Sequence, residues 1–255
     1  MRGRAYFIET VKKVIRTVDL IIEVVDARFP MDSRNFELEK MIKMLDKRFI
    51  VVINKADLVP EEFARLAAKK ISEDAPAIYI SSTERHGTRK LFDSINMLKR
   101  GNRVKIGVIG YPNVGKSMII NVLKGKHSAP TGSKPGITKS VQWIRVSPDI
   151  MLFDTPGVIP LKGKKGAFLK GAIDIIKVED IQQSVEEMLG EFIKKGVADK
   201  VQEKYGIPLE TPEGFLETFA LKYNLLRKGG VADIDRAARR IYHDWITGKI
   251  RLWWL

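Results

Sequence analysis

One octapeptide, Gly110-Tyr-Pro-Asn-Val-Gly115-Lys116-Ser117, constrains this chain more than any other feature. It matches GxxxxGK[ST], a phosphate-cradling loop that needs a strand to deliver it and a helix to leave it. Both are predicted here, from the β-branched run Lys105–Ile109 and the amphipathic stretch 116–124. Glycine lets the loop close its backbone N–H groups into a nest around a phosphate, and the helix N-terminus adds a favourable field. Asn113, Val114, Gly115, Lys116, Ser117 and Met118 are therefore the expected phosphate-side residues. Lys116 is expected to reach the β- and γ-phosphate oxygens and to act in catalysis, and Ser117 to ligate Mg²⁺.

Such a loop belongs to a parallel sheet covered by helices, and the flanking pattern agrees. Strands are predicted at Leu20–Val25, Phe49–Ile53, Ala77–Ile80, Lys105–Ile109, Val141–Val146 and Ile150–Phe153, with helical stretches near 5–17, 36–46, 60–73, 87–100 and 116–124. After Gly157 strand patterns stop. Residues 160–171 are rich in Gly and Lys and read as a connection; helices are predicted at 179–194, 197–205, 212–226 and 233–247, with Gly229-Gly230 ending the third. The expected fold class is a three-layer α/β/α sheet domain over 1–163, followed by a small all-α domain over 164–255.

Three further motifs surround the phosphate loop. Asp154-Thr-Pro-Gly157 closes the run Ile150–Phe153; Asp154 is expected to hold Mg²⁺ and Gly157 to offer its N–H to a γ-phosphate. Thr138, between this motif and the phosphate loop, is the candidate to complete Mg²⁺ ligation and to act in catalysis. Asn54-Lys55-Ala56-Asp57 follows the strand Phe49–Ile53. A carboxylate there can accept two hydrogen bonds from the N1–H and exocyclic amine of guanine, a donor pair that adenine lacks. The Lys55 stem can cover the base and Asn54 can brace the pocket. Ser81 and Ser82, after the strand Ala77–Ile80, fit a second guanine-contacting loop.

The order NKAD, SST, GYPNVGKS, GIT, DTPG resembles that of the circularly permuted GTPases, in which the base-reading motif precedes the phosphate loop. Asp26-Ala-Arg-Phe-Pro30 and Pro135-Gly-Ile-Thr138 are similar to those of the bacterial RbgA (YlqF) ribosome-assembly GTPases and their archaeal relatives, and the similarity extends to the segment around Gly229-Gly230. The resemblance implies a switch that hydrolyses GTP to GDP and phosphate during large ribosomal subunit assembly, in contact with rRNA. Another permuted class carries an N-terminal OB-fold and a zinc site; the twenty residues before the first strand and the absence of cysteine fit neither. Permutation leads the Asp154–Gly157 motif straight into the helical domain, so loss of the γ-phosphate is expected to reorient that domain.

Two departures bear on hydrolysis. Val158 stands where many GTPases place a water-orienting glutamine, and the histidine that the resemblance implies near the N-terminus is missing. Of His86, His127 and His243, only His127 lies near the predicted switch segment. Asn113 suggests K⁺ as a source of positive charge, by analogy with similar GTPases. The expectation is slow turnover that rises with K⁺ and with a ribosomal partner; the competing reading is an RNA-binding scaffold that holds GTP and barely hydrolyses it.

Charge points the same way. The chain carries +14, and residues 84–147 hold 13 Lys/Arg against 2 Asp/Glu. A block of one sign suggests a polyanionic partner such as RNA. Arg236, Arg239, Arg240 and His243 share one face of the last predicted helix, Ile234, Ala237, Ala238, Ile241 and Trp245 the other. Trp253 and Trp254 read as buried anchors for the tail. No apolar run is long enough for a bilayer and no secretory signal is visible, so a cytoplasmic monomer without membrane contact is expected.

Overall fold

Six strands form one sheet in a computed structural model that describes residues 12, 15–125, 142–146, 149–154 and 181–255. They are β1 (Leu20–Asp26), β2 (Arg48–Asn54), β3 (Ala77–Tyr79), β4 (Val104–Ile109), β5 (Gln142–Arg145) and β6 (Ile150–Asp154), in the order β3-β2-β1-β4-β6-β5. The pairings among β1, β2, β3, β4 and β6 are parallel. The segment Val141–Val146 is predicted within a parallel sheet; the strand described there, β5, instead pairs antiparallel with β6. The link from Arg145 to Ile150 is too short for the crossover that parallel neighbours require.

Strand sequences explain their position. β1, LIIEVVD, is buried at every residue, and β2, RFIVVIN, at all but its first. Continuous Val/Ile runs without polar alternation fit strands covered on both faces. Among the described residues, cover comes from α1 (Phe36–Met44), α2 (Glu61–Ile71), α3 (Thr88–Leu98) and α4 (Lys116–Lys124), with Ile15 from the helical residues 15–17 joining the core. The path β1–α1–β2–α2–β3 runs one way across the sheet, and β3–α3–β4–α4 runs back. Right-handed crossovers then place α1 and α2 on one face and α3 and α4 on the other. On the first face Leu38 and Ile42 of α1 and Ala67 and Ile71 of α2 pack with Ile21, Val25, Val51 and Ile53.

The chain divides into two compact units, Met1–Pro160 with Leu255, and Leu161–Trp254. The second contains α5 (Ile181–Lys194), α6 (Ala198–Tyr205), α7 (Pro212–Lys222) and α8 (Ile234–Ile246). Thr211 caps α7, accepting from the Gly214 N–H, with Pro212 at the first helical position; Asp233 caps α8, accepting from the Arg236 N–H. The α7 helix ends four residues before the predicted 226, and not at Gly229-Gly230. Asn224 adopts a left-handed conformation (φ 53°), Leu225 N–H bonds the Ala220 carbonyl at 2.8 Å, and Asn224 N–H bonds that of Leu221 at 3.2 Å. These two bonds close a Schellman stop. Gly229 and Gly230 then turn the chain between Leu226 and Ala232, which form an antiparallel bridge.

Aromatic packing holds this unit together. Trp245 stacks on Trp254 (6.3 Å, 5°) and meets Phe192 edge-on at 5.0 Å, so Trp254 anchors the tail as predicted. Trp253 is only half-buried, with the Lys200 ammonium 3.4 Å from its ring centroid.

Candidate nucleotide site

The strand order reverses direction at the β1–β4 seam, and crevices for ligands open at the carboxyl ends of strands flanking such a point. The 110–117 loop leaves β4 there, beside the ends of β1 and β2. Its glycines are set by close approach as well as by φ. A Cβ on Gly110 (φ +146°) would lie 2.4 Å from the Val24 carbonyl oxygen, and one on Gly115 (φ +99°) 2.1 Å from Asn54 Nδ2.

That second approach exists because Asn54 joins three loops. Its Nδ2 donates to the Val114 carbonyl in the phosphate loop at 2.9 Å, and its Oδ1 accepts from the Ser82 N–H at 3.1 Å. Asn54 is buried, so each bond is made away from water, where an unmade one costs about 1–3 kcal/mol. The expected bracing role of Asn54 thus has a geometry: one carboxamide ties the segments holding Lys116, Asp57 and Ser82.

Asp57 and Ser81 meet directly, the Ser81 hydroxyl donating to Asp57 Oδ1 at 2.6 Å. With Ala56 they line a cleft completed by Tyr79, Glu84 and His86. The 81–87 loop is closed by Ser81 N–H to the His86 carbonyl (3.0 Å) and Glu84 N–H to Ser81 Oγ (3.0 Å). His86, read from sequence only as a loop histidine, therefore lies on the cleft wall, as do Tyr79 and Glu84. No motif marks these three; the end of β3 places Tyr79, and closure of the loop places Glu84 and His86.

On the phosphate side, Val114 is buried, while Asn113 and Ser117 are exposed at the loop mouth and Met118 is 37% exposed. The Lys116 ammonium donates to the Tyr111 carbonyl at 2.6 Å, within its own loop. Asp154 ends β6 in register with Val108 of β4, which sets its backbone beside the strand that feeds the loop. Thr138, Gly157, Val158 and His127 lie outside the described residues. The Mg²⁺ set predicted from sequence is therefore represented by the Ser117 hydroxyl, on the first turn of α4, and by the strand position of Asp154.

Motif reading gave the Asp26–Pro30 segment a resemblance but no role, and its geometry supplies one. Asp26, at the end of β1, accepts from the Arg28 backbone N–H (3.1 Å) and Nε (2.9 Å) through Oδ1, and from Arg28 Nη2 (2.9 Å) and Lys55 Nζ (2.8 Å) through Oδ2. Burial acts to raise the Asp26 carboxyl, and Arg28 and then Lys55 more than offset it, holding it well below the ordinary carboxylate range. The Lys55 ammonium is lowered, first by burial, with Asp26 opposing. Nearby, burial and then the charge of Glu39 push Glu23 from 4.5 up to about 8.

Comparison with known proteins places these features in a lineage. Residues 105–204 match the family described as 50S ribosome-binding GTPase, and residues 2–99 match the elongation factor Tu GTP-binding domain. An uncharacterized GTP-binding protein of Methanocaldococcus jannaschii is 38% identical over 244 residues, covering 94% of this chain and 65% of the relative. The guanine nucleotide-binding protein-like NSN1 of Arabidopsis thaliana is 34% identical over 282 residues, 97% of this chain and 48% of the relative. The chain thus spans about half to two thirds of the length of these relatives. Among solved structures, GNP-bound YlqF from T. maritima superposes with a TM-score of 0.67 at 25% identity, covering 94% of this chain and 93% of that one.

Proposed function

Because the chain belongs to the circularly permuted GTPases of the RbgA/YlqF family, we propose that it hydrolyses GTP to GDP and phosphate as a switch in large ribosomal subunit assembly. The observation that carries the reading is the Asn54 carboxamide, bonded at once to Val114 of the phosphate loop and to Ser82 beside the Asp57 cleft. A purine seated against Asp57 then has its phosphates directed toward Lys116.

In this reading Asp57 accepts from the guanine N1–H and amine, and Ser81 fixes the carboxylate that does so. Lys116 leaves the Tyr111 carbonyl and moves to the β- and γ-phosphates. Backbone N–H groups from Asn113 to Met118 hold the phosphate oxygens, and Gly157 contacts the γ-phosphate. Ser117, Thr138 and Asp154 would hold Mg²⁺, which would neutralise phosphate charge, and Asn113 would hold K⁺, which would add to that neutralisation. Residues 1–163 constitute the GTP-binding domain and 164–255 a helical ribosome-binding domain.

The rRNA contact rests on surface charge. Arg85, Arg89, Arg100 and Arg103 are exposed in the first unit, and Arg236, Arg239, Arg240 and His243 in the second. Arg240 also covers the Tyr223 ring at 4.4 Å, giving a flat cation that a base can extend. Among the described residues no helix is long and apolar enough to cross a membrane. The proposed setting is a cytoplasmic monomer engaged with the subunit.

Two measurements test this. Asp57→Asn exchanges an acceptor for a donor, so nucleotide preference should move from GDP to XDP; a preference for ADP in the unaltered chain refutes guanine recognition. Single-turnover GTP hydrolysis should accelerate when purified large subunits are added. No hydrolysis with or without them would leave a GTP-dependent RNA-binding scaffold as the better description.

A further inference from the structure

We propose that Asp26 and Arg28 are positioning residues for guanine recognition, holding Lys55 so that its aliphatic stem lies against the face of the bound base. The inference rests on the reading that guanine occupies the cleft beside Asp57.

The geometry begins with the backbone of Lys55, which is left-handed (φ 65°) although the residue has a full side chain. Such a conformation persists where the surroundings fix it. Here the fixing group is a buried carboxylate: Lys55 Nζ lies 2.8 Å from Asp26 Oδ2, with the Asp26 side chain 2% exposed and that of Lys55 17%. With the ammonium anchored to Asp26, the stem is the part of Lys55 left to supply apolar surface to a base. A lysine whose charged end is tied down offers apolar surface to a base at little further entropic cost.

Arg28 fixes the anchor in turn. Its Nε and Nη2 grip the two Asp26 oxygens at 2.9 Å each, a fork that sets the plane of the carboxylate. The loop itself is rigid: Ser33 Oγ accepts from the Asp26 N–H at 3.0 Å and donates to the Phe29 carbonyl at 2.9 Å, while the Ala27 N–H bonds the Asn54 carbonyl at 2.8 Å. Charges alternate along this path, Arg28 positive, Asp26 negative, Lys55 positive, and then Asp57, whose charge acts on Lys55. Removing Asp26 leaves two buried cations facing each other with Lys55 released. The β1 end thereby contributes to reading a base that it does not touch.

A double-mutant cycle on the full chain decides between positioning and mere stability. GDP affinity is titrated with a fluorescent GDP for the unaltered chain, Asp26→Asn, Lys55→Met and the double variant, with circular dichroism confirming each fold. Acting through Lys55, Asp26→Asn should weaken GDP about tenfold alone and add less than about twofold in the Lys55→Met background. Displacement by pyrophosphate, which lacks a base, should not change. Should Asp26→Asn fail to fold, Arg28→Lys, which keeps the charge and loses the fork, is carried through the same cycle with a severalfold loss expected. Losses that multiply in the double variant, or an Asp26→Asn affinity within about twofold of the original, overturn the proposal. A chain that binds GDP no better than ADP fails at the base-site reading itself; guanine preference intact with the cycle uncoupled defeats the positioning role alone.

Discussion

Gly115 is the position at which the smallest substitution meets the most. A methyl group there would sit 2.1 Å from Asn54 Nδ2, on a backbone at φ +99°. Gly115→Ala should therefore break the Asn54 bridge and strain the loop together, costing about 2–3 kcal/mol of nucleotide binding, or roughly a hundredfold in GDP affinity. Isothermal titration measures this directly. The Gly-Lys-Ser motif was legible from sequence, but its steric partner was not, because Asn54 and Gly115 lie far apart in the chain. Glu23 shows the same limit. It reads as one charge in an apolar strand, yet the fold buries it near Glu39 and raises it from 4.5 to about 8. The folded chain then keeps a proton that the unfolded chain releases above about 4.5, so this group's contribution to stability falls as pH rises toward 8 and levels beyond it. Glu23→Gln should remove that slope. Its denaturation midpoint, relative to the unaltered chain, should rise between pH 5 and pH 8; a constant difference would show that Glu23 does not titrate there.

At the scale of elements, periodicity located the sheet and every described α-helix, because buried strands and amphipathic helices leave strong patterns, while the 3-10 turn Ala56–Leu58 went unread. Ends were harder. The α7 helix was extended to 226 on the strength of Gly229-Gly230, whereas Asn224 already provides a left-handed stop. Asparagine ranks second to glycine for that conformation, and a nearby glycine pair masks it. β5 was expected in a parallel sheet, and its antiparallel direction follows only from the short link to β6. Asp233 caps α8 through its side chain. Replacing it by Ala should destabilise the helical unit by about 1 kcal/mol, seen as a lower thermal midpoint, with GDP affinity unchanged.

For the molecule as a whole, charge and site make separate predictions. Binding to rRNA through the exposed arginines should weaken steeply as salt increases, in a log–log line whose slope counts the phosphates contacted. GTP turnover should be faster in K⁺ than in Na⁺ at equal ionic strength; equal rates would remove Asn113 from a cation role. Motif order alone disclosed the permutation, since each motif keeps its strand whatever its rank in the chain. The support that Asp26 and Arg28 give those motifs, and the cleft wall of Tyr79 and His86, came into view only once the strands were assembled.

The β1–β4 seam also gives synthesis a direction. A chain emerging from its N-terminus completes the purine-facing strands β1 to β3 while one long edge of β1 still lacks its neighbour, and β4 arrives only after α3 has crossed back. A nascent chain halted before Val104 would thus carry a base reader with nothing to grasp a phosphate. Capture of the nucleotide becomes the closing event of assembly, and a protein severed in the exposed turn at Gly101 should knit its two pieces together most readily when GTP is there to span them.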